Sequence, residues 1–227
     1  MLENSVVAVV PIKKNSERVP NKNFRDLGGR PLYRWLLDTL MECRTLSGIL
    51  VDTDSDELLE QLSSLYPEIR GRRRPDRLAG PLTSMDEVLR ELAPDVTGDI
   101  IVQLHVTNPF LRADTIDRAV KSYLDGRSDS LFSVSEIRGR LWSEDIRPLN
   151  HDPAIMERTQ DMAPVYKENS CFFIFKRDAM LEKGMRVSGD VSVFPIGDLE
   201  STDIDTQDDF EFAEALAFSR LTVDGRI

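Results

Sequence analysis

Apolar residues follow two recurring patterns along the chain. Short continuous apolar runs, of which Val6–Val10 is the first, are typical of strands buried on both faces of a sheet. Apolar residues three and four positions apart are typical of a helix with one buried face. Pro31 suits the first turn of the first such helix. The apolar stripe of this helix consists of Leu32, Trp35, Leu36, Leu40 and Cys43.

The two patterns alternate over most of the chain. Strands are predicted over Val6–Ile12, Gly48–Thr53, Ile100–His105, Ser130–Val134, Cys171–Phe175 and Val191–Ile196. Helices are predicted over Pro31–Cys43, Asp56–Tyr66, Ser84–Ala93, Ala113–Leu124, Arg177–Lys183 and about Thr206–Leu221. Because strands that alternate with helices build a parallel sheet covered on both faces, we predict a doubly wound, mostly parallel α/β fold. A ligand should then bind at the carboxyl ends of the strands.

Residues 136–168 interrupt this alternation with a polar, charged and proline-containing segment. We predict one domain over residues 1–227, with this segment as an inserted loop or hairpin. The insertion also carries the apolar residues Leu141, Trp142 and Ile146. An apolar patch in a polar segment commonly marks an interface, so we expect a homodimer formed through it.

The composition fits a globular domain, with 41% hydrophobic and 30% charged residues. A net charge of −11 argues against nucleic-acid binding. No apolar run approaches the roughly 20 residues of a membrane span, and no secretory signal is visible. Cys43 and Cys171 alone cannot form a disulfide framework. We therefore expect a cytoplasmic protein without nucleic-acid or membrane partners.

A basic loop follows the first predicted strand. Between Lys13 and Arg30 it holds six cations and only two anions. In an acidic protein, such a loop at the end of a strand is where an α/β fold would hold a polyphosphate. The loop contains neither a P-loop nor a dinucleotide-binding glycine pattern. Ser16, Lys22 and Asn23 are spaced for phosphate and nucleobase contacts, the alternative being a solvated basic loop.

Five arginines fall between Arg70 and Arg77. Like charges at this density destabilise a fold unless something anionic neutralises them. Arginine favours planar, bidentate recognition of phosphate or base carbonyls. This segment is therefore a second candidate for anion binding, the alternative being a solvated turn.

Two further segments carry residues suited to chemistry. A predicted strand ends at His105, which is either a catalytic or a structural histidine. Asp203 and Asp205 share one side of an extended segment, because alternate side chains lie on the same face. Hard carboxylate oxygens suit Mg²⁺, whereas the alternative is an acidic helix cap. Basic loops together with a carboxylate pair predict a site for a nucleoside triphosphate with Mg²⁺.

These segments together resemble the acylneuraminate (CMP-sialic acid) cytidylyltransferase family, which makes CMP-activated sugar acids for cell-surface polysaccharides. The resemblance runs in order over about residues 6 to 215. The matching segments are Lys13–Asn23, Gly29–Leu32, Arg74–Ala79, His105–Arg112, Arg158–Ser170 and Asp203–Asp209.

The resemblance implies a Rossmann-like nucleotidyltransferase that couples CTP to a 2-keto-3-deoxy sugar acid and releases pyrophosphate. It also implies a homodimer that pairs through the insertion. The implied nucleotide-binding residues are Lys13, Ser16, Arg18, Lys22, Asn23, Arg74 and Ser84. The implied sugar-binding residues are His105, Arg158 and Asn169. Lys22, Asp203 and Asp205 form the implied catalytic set, in which the two aspartates bind Mg²⁺.

This sequence departs from the family pattern at several positions. Lys13 replaces an arginine, Glu17 a lysine, Pro81 an aspartate, His105 a glutamine and Ser170 a glycine. The position of Arg18 suits it to replace the cation lost at Glu17. Other acceptors, such as a 3-deoxy-octulosonate or a molybdopterin, and a non-catalytic nucleotide-binding role are the alternatives. The candidates for the base that deprotonates the acceptor are His105 and a hydroxyl bound to Mg²⁺.

Overall fold

A computed structural model describes residues 5–16 and 18–223 of the protein, with the backbone alone for residues 220–223. The strands of this part are β1 (Val6–Ile12), β2 (Gly48–Thr53), β3 (Arg70–Arg73), β4 (Ile100–Leu104), β5 (Ser130–Ile137), β6 (Val165–Lys176) and β7 (Val191–Pro195). The helices are α1 (Leu32–Glu42), α2 (Asp56–Leu65), α3 (Met85–Leu92), α4 (Ala113–Asp125), α5 (Arg177–Lys183) and α6 (Gln207–Val223).

The strands form one mixed sheet in the order β3-β2-β1-β4-β6-β5-β7. Parallel pairing joins β3, β2, β1 and β4, and β7 pairs parallel with β5. Only β6, among the strands described, is antiparallel to both of its neighbours. The predicted α/β class and mostly parallel sheet are confirmed, and the carboxyl ends of β1, β2 and β4 lie along one edge.

The central strand β1 is buried on both faces, as its unbroken apolar run predicts. Val6, Ala8 and Val10 join the core cluster that contains α1, α2 and α4 residues. Val7 and Val9 join the opposite cluster, which α3 and α5 cover. Because successive side chains of a strand alternate, one apolar run anchors both helical layers. No helix among residues 5–16 and 18–223 is long and apolar enough to span a bilayer.

The arginine-rich segment forms the edge strand β3, where the sequence pattern had indicated a loop for anion binding. Arg72 donates to Asp52 and Asp95, each at 2.6 Å. Arg73 donates to Asp56 at 2.8 Å. The chain's own carboxylates therefore supply the neutralising anions that this charge density requires. Arg72 and Arg73 therefore pair with acidic side chains of this chain, where the sequence pattern predicted that they would bind an external anion.

The insertion begins and ends in paired strands. The pairing of β5 with β6 continues outward from Val134–Glu168 to Ile137–Val165, beyond the predicted strand ends. Residues 138–164 connect these two arms. Exposed apolar side chains on this connection are Trp142, Ile146, Leu149, Ile155 and Met156. A dimer interface at this surface stays a prediction.

Ser170 adopts a left-handed backbone conformation within β6, with φ of 56°. This conformation is strained for residues with a Cβ atom and natural for glycine, which the resembled family has there. Ser170→Gly should therefore raise the free energy of unfolding by about 0.5–1 kcal/mol, measured by urea denaturation. The same substitution at Ser63, a helical residue in the last turn of α2, should lower it by about 0.5 kcal/mol. Loss of stability in both variants would contradict this account.

Candidate active site

A cavity of about 360 Å³ opens at the carboxyl ends of β1 and β4. The β1 loop forms one wall, and residues 105–107 after β4 form another. Its volume lies within the usual range for small-molecule sites. The predicted site residues that line it are Lys13, Ser16, Arg18, Lys22, Asn23 and His105.

Apolar anchors fold the β1 loop over this edge of the sheet. Val19 and Leu27, both fully buried, belong to one cluster with Phe110, Ile204 and Phe210. The cluster therefore joins three segments that are distant in sequence. Because Ile204 lies between Asp203 and Asp205, its burial brings the predicted carboxylate pair to the basic loop.

Lys22 is a buried cation beside the acidic segment. Its side chain is 8% exposed, and its Nζ donates to the Ile204 carbonyl at 2.5 Å. The Asp205 carboxylate lies 3.7 Å from the same nitrogen. Burial lowers the pKa of Lys22, while the charges of Asp205 and Asp203 act in the opposite direction. Arg18, which is mostly exposed, donates to Asp205 at 2.7 Å.

The two aspartates differ in environment. Asp203 Oδ1 is buried and has no hydrogen-bond partner in the part of the chain that is described. Burial raises the pKa of Asp203, a hydrogen bond with Thr107 opposes the rise, and the charge of Asp205 adds to it. Asp205 is partly exposed, and its carboxylate is in contact with Arg18. Asp209 caps the start of α6 by accepting from the backbone amides of Asp205 and Thr206.

The carboxylate pair offers two hard oxygen ligands of the kind that Mg²⁺ prefers. No cluster of three or more acidic, histidine or cysteine ligands occurs among residues 5–16 and 18–223. Mg²⁺ is commonly bound by one or two carboxylates together with water and substrate phosphates. A buried oxygen without a partner, as at Asp203, is stabilised by a cation. Asp203 and Asp205 are thus the residues that would hold the ion.

Asn23 and Arg74, both predicted to bind the nucleotide, lie in different surroundings. Asn23 donates to the Lys13 carbonyl at 2.8 Å, and its buried Oδ1 has no partner among the described residues. Arg74 is 4% exposed and donates through Nε to the fully buried Asp52 at 2.6 Å. It does not line the cavity. Asn23 therefore presents an open acceptor, whereas Arg74 is already partly engaged, and its nucleotide role stays a prediction.

Two other predicted contacts have local structural partners. Ser84 caps α3 in a capping box with Glu87, so its hydroxyl already accepts from a backbone amide. Lys13 donates to the Gly80 carbonyl at 3.1 Å while lining the cavity. The predicted contact of Ser84 with the nucleotide stays a prediction. Glu17, which stands where the resembled family has a lysine, lies outside the described residues.

The predicted sugar-binding residues are not all gathered at the cavity. His105 lines it, and Asn169 lies on the adjacent strand β6, buried and donating to Ser135 at 3.2 Å. Arg158 is exposed on the insertion and pairs with Asp161 at 2.6 Å. Within one chain, Arg158 forms a local ion pair of the kind that is common for surface arginines. Its role toward a sugar acid stays a prediction.

His105 has unusual electrostatics. Burial, together with the charges of Arg186 and Lys22, lowers its pKa from 6.5 to about 4. Its Nε2 lies 2.8 Å from the Gln103 side-chain amide. Sequence reasoning missed Gln103 and Arg186, because one reads as an ordinary strand residue and the other lies 81 positions from His105. A neutral histidine with this pKa is a weak base at pH 7.

His105 should stay neutral down to about pH 5, since its pKa is about 4. The chain has two histidines, so an NMR titration of the ring resonances can follow both, with a His151→Gln variant for assignment. Above pH 6 the ring of His105 should show no change in protonation. A midpoint for His105 at or above pH 6.5 would contradict the described burial.

A family model described as cytidylyltransferase matches residues 7–226. N-acylneuraminate cytidylyltransferase A of Danio rerio is 24% identical over 92% of this chain and 50% of its own length. Pseudaminic acid cytidylyltransferase of Campylobacter jejuni is 24% identical over 92% of this chain and 95% of its own. CMP-N,N'-diacetyllegionaminic acid synthase of Legionella pneumophila is 26% identical, with coverages of 93% and 95%. The chain thus spans about half the length of the first of these relatives and nearly all of the other two.

Solved structures share the fold at low identity. CMP:2-keto-3-deoxy-manno-octonic acid synthetase complexed with CTP superposes with a TM-score of 0.73 at 15% identity, covering 96% of this chain and 100% of that one. The 4-diphosphocytidyl-2C-methyl-D-erythritol synthase of Anaerococcus prevotii gives a TM-score of 0.68 at 14% identity, covering 94% and 96%. The predicted Rossmann-like α/β architecture is confirmed. The family model matches nearly the whole length of this chain, so the chain belongs to the cytidylyltransferase family.

Proposed function

We propose that this chain is a Mg²⁺-dependent cytidylyltransferase that couples CTP to a nonulosonate, a sugar acid of the sialic acid class. The carrying observation is a cavity lined by the cations Lys13, Arg18 and Lys22, two of which pair with Asp205 just behind the lining. Asp203, two residues before Asp205, is buried and lies within the influence of the Lys22 charge. Cations suit a triphosphate, and the carboxylates suit the metal that accompanies it. Relatives named for N-acylneuraminate, pseudaminic acid and legionaminic acid support the acceptor class.

Asn23 supports CTP as the nucleotide. Its buried Oδ1, in the basic loop, is an acceptor without a partner in the part of the chain that the structure describes. The amino group at N4 of cytosine is a donor and would satisfy this oxygen, whereas uracil presents a carbonyl there. A buried polar group left unpaired by the wrong base is costly, so this position would discriminate between the two.

In the proposed reaction, different residues of this chain would have different roles. Lys13, Arg18 and Lys22 would neutralise the triphosphate, which lets an anionic acceptor approach the α-phosphate. Asp203 and Asp205 would hold Mg²⁺, which when bound supplies charge neutralisation on the phosphate oxygens. The sugar hydroxyl attacks the α-phosphorus, a new P–O bond forms, the α–β bridge breaks, and pyrophosphate leaves with its electron pair. The hydroxyl proton passes to a base, and the low pKa of His105 disfavours that residue in this role.

The acceptor side of the site would be completed by a second copy of the chain. His105 directly follows β4 and Asn169 lies within the neighbouring strand β6, but Arg158 lies on the exposed insertion. Exposed apolar residues on the same insertion support pairing of two chains there. We propose a homodimer in which Arg158 reaches the partner's cavity. CTP and the pair of free cysteines fit a cytoplasmic enzyme.

The proposed activity can be tested by pyrophosphate release. Wild-type protein with CTP, Mg²⁺ and N-acetylneuraminate, pseudaminic or legionaminic acid should release pyrophosphate with at least one of them. The rate with UTP should be lower by about tenfold or more, because its carbonyl leaves the Asn23 acceptor unpaired, and ATP and GTP should also be used more slowly than CTP. Equal use of ATP would contradict the nucleotide assignment. Turnover with a 3-deoxy-octulosonate and with none of the nonulosonates would contradict the proposed acceptor class. No turnover with any of these acids would favour a non-catalytic nucleotide-binding role for this chain.

Asp205→Asn should reduce turnover by roughly 100-fold or more, because the pair would lose one hard metal ligand. Chelation of Mg²⁺ should abolish activity in the wild type. Asp208→Asn is the matched control, since Asp208 is an exposed acid at the start of α6. Thermal unfolding of both variants should separate folding defects from loss of activity. Near wild-type turnover of Asp205→Asn at low Mg²⁺ would refute the metal assignment.

Arg158→Ala should raise the KM for the acceptor by about 30-fold or more, since a lost carboxylate pair costs roughly 2–5 kcal/mol. The KM for CTP should change little. Arg147→Ala is the control, because Arg147 is likewise exposed on the insertion and paired with a nearby acid.

Mixing subunits tests whether Arg158 acts across the dimer. Arg158→Ala and Asp205→Asn chains mixed in equal amounts should recover about one quarter of the wild-type sites, because half of the dimers are mixed and one site in each is intact. No recovery, or a monomer in sedimentation at micromolar concentration, would contradict the shared site.

A further inference from the structure

A polar relay lies behind His105 and extends away from the cavity. Arg186 Nε donates to Asp86 Oδ1 at 2.9 Å. Arg186 Nη1 donates to Gln103 Oε1 at 3.0 Å. The nitrogen of the same Gln103 amide lies 2.8 Å from His105 Nε2. The relay thus links α3, the segment before β7 and the end of β4.

This relay determines which atoms of His105 carry protons. A guanidinium has only donors, so the Gln103 atom that faces Arg186 must be the carbonyl oxygen. The amide nitrogen then faces His105 and can only donate, so His105 Nε2 must accept. A proton on Nε2 would place two donors against each other. The neutral ring therefore carries its proton on Nδ1.

The relay is held rigidly. Gln103 is fully buried, and its amide nitrogen also contacts the Leu104 carbonyl at 3.3 Å. The guanidinium of Arg186 stacks 4.3 Å from the centre of the Phe173 ring. Buried polar groups whose partners are all present fix a single arrangement. Rotation of the Gln103 amide would lose the Arg186 bond and leave a buried donor facing a donor.

The Nδ1 edge of His105 is the edge left for a ligand. His105 lines the cavity. Among the described residues, the hydrogen bond of its ring is the one at Nε2, with Gln103. Its strand β4 lies between β1, whose loop carries the cations, and β6, which carries Asn169. His105 thus follows the strand that lies between the proposed phosphate side and the proposed acceptor side.

Resting on the proposed function, we propose that Gln103 and Arg186 are positioning residues that make His105 a hydrogen-bond donor to an oxygen of the acceptor. A ring held as a donor favours a carboxylate or hydroxyl oxygen at that point and disfavours a ligand N–H group. The relay would thereby help to set acceptor specificity. Asp86 holds Arg186 in the orientation that this requires.

The first test measures the tautomer without any substrate. Two-bond ¹H–¹⁵N NMR at pH 7 should show His105 of the wild type neutral with its proton on Nδ1, and a His151→Gln variant assigns the signals. Gln103→Glu replaces the amide donor with a carboxylate acceptor of the same shape, so the proton of His105 should move to Nε2. Gln61→Glu, the same change on α2, should leave His105 unchanged. A wild-type ring protonated on Nε2, or an unchanged tautomer in Gln103→Glu, would overturn the relay.

The second test measures the consequence for the acceptor. Gln103→Glu should raise the KM for the acceptor by about tenfold or more while the KM for CTP stays within about twofold. A tautomer that moves with no change in the acceptor KM would overturn the specificity role and leave the proposed function intact. Absence of pyrophosphate release from the wild type would overturn the proposed function and the specificity role together. The tautomer measurement would still decide how Gln103 and Arg186 hold His105.

Discussion

The candidate site depends on the burial of Ile204. This residue is fully buried against Val19 and its neighbours, and full burial of an aliphatic side chain contributes about 1.5–3 kcal/mol. Its backbone amide donates to Thr107, and its carbonyl accepts from Lys22. A buried Ile204 thereby holds Asp205 against Arg18 and Lys22 of the β1 loop and Asp203 beside Thr107.

The same contact sets the electrostatics of the site. It places the amine of Lys22 beside partly desolvated carboxylates, and one oxygen of Asp203 has no partner among residues 5–16 and 18–223. Removal of charges from water is unfavourable, so this arrangement is best understood as a site prepared for ligands. In the proposed reaction a metal would satisfy the aspartates and a triphosphate would satisfy the cations. The apolar cluster would supply the stability that this preorganisation requires.

The sequence pattern predicted those parts of the fold that depend on local periodicity. The buried run of β1 and the stripe of α1 specify their elements without reference to the rest of the chain. The outer part of β6 was missed because Lys167 and Glu168 are polar, and only pairing with β5 makes that segment a strand. β3 was missed because its arginines depend on acids from other elements, such as Asp52.

The site residues followed a similar rule. Loops at the carboxyl ends of strands could be predicted to meet, which is why Lys22 and Asp205 lie together. The relay behind His105 could not be predicted, because only the tertiary fold brings Arg186 to Gln103. Arg158 could be named only from the resemblance, and in a single chain it lies away from the cavity, paired with Asp161.

The most direct measurement is a crystal structure with a non-hydrolysable CTP analogue and Mn²⁺ in place of Mg²⁺. Anomalous scattering would locate the metal without reference to the fold. The account predicts a peak in contact with both Asp203 and Asp205, the triphosphate along Lys13 and Lys22, and Arg18 moved from Asp205 to a phosphate. Metal bound away from both aspartates, or a triphosphate outside the β1 loop, would contradict it.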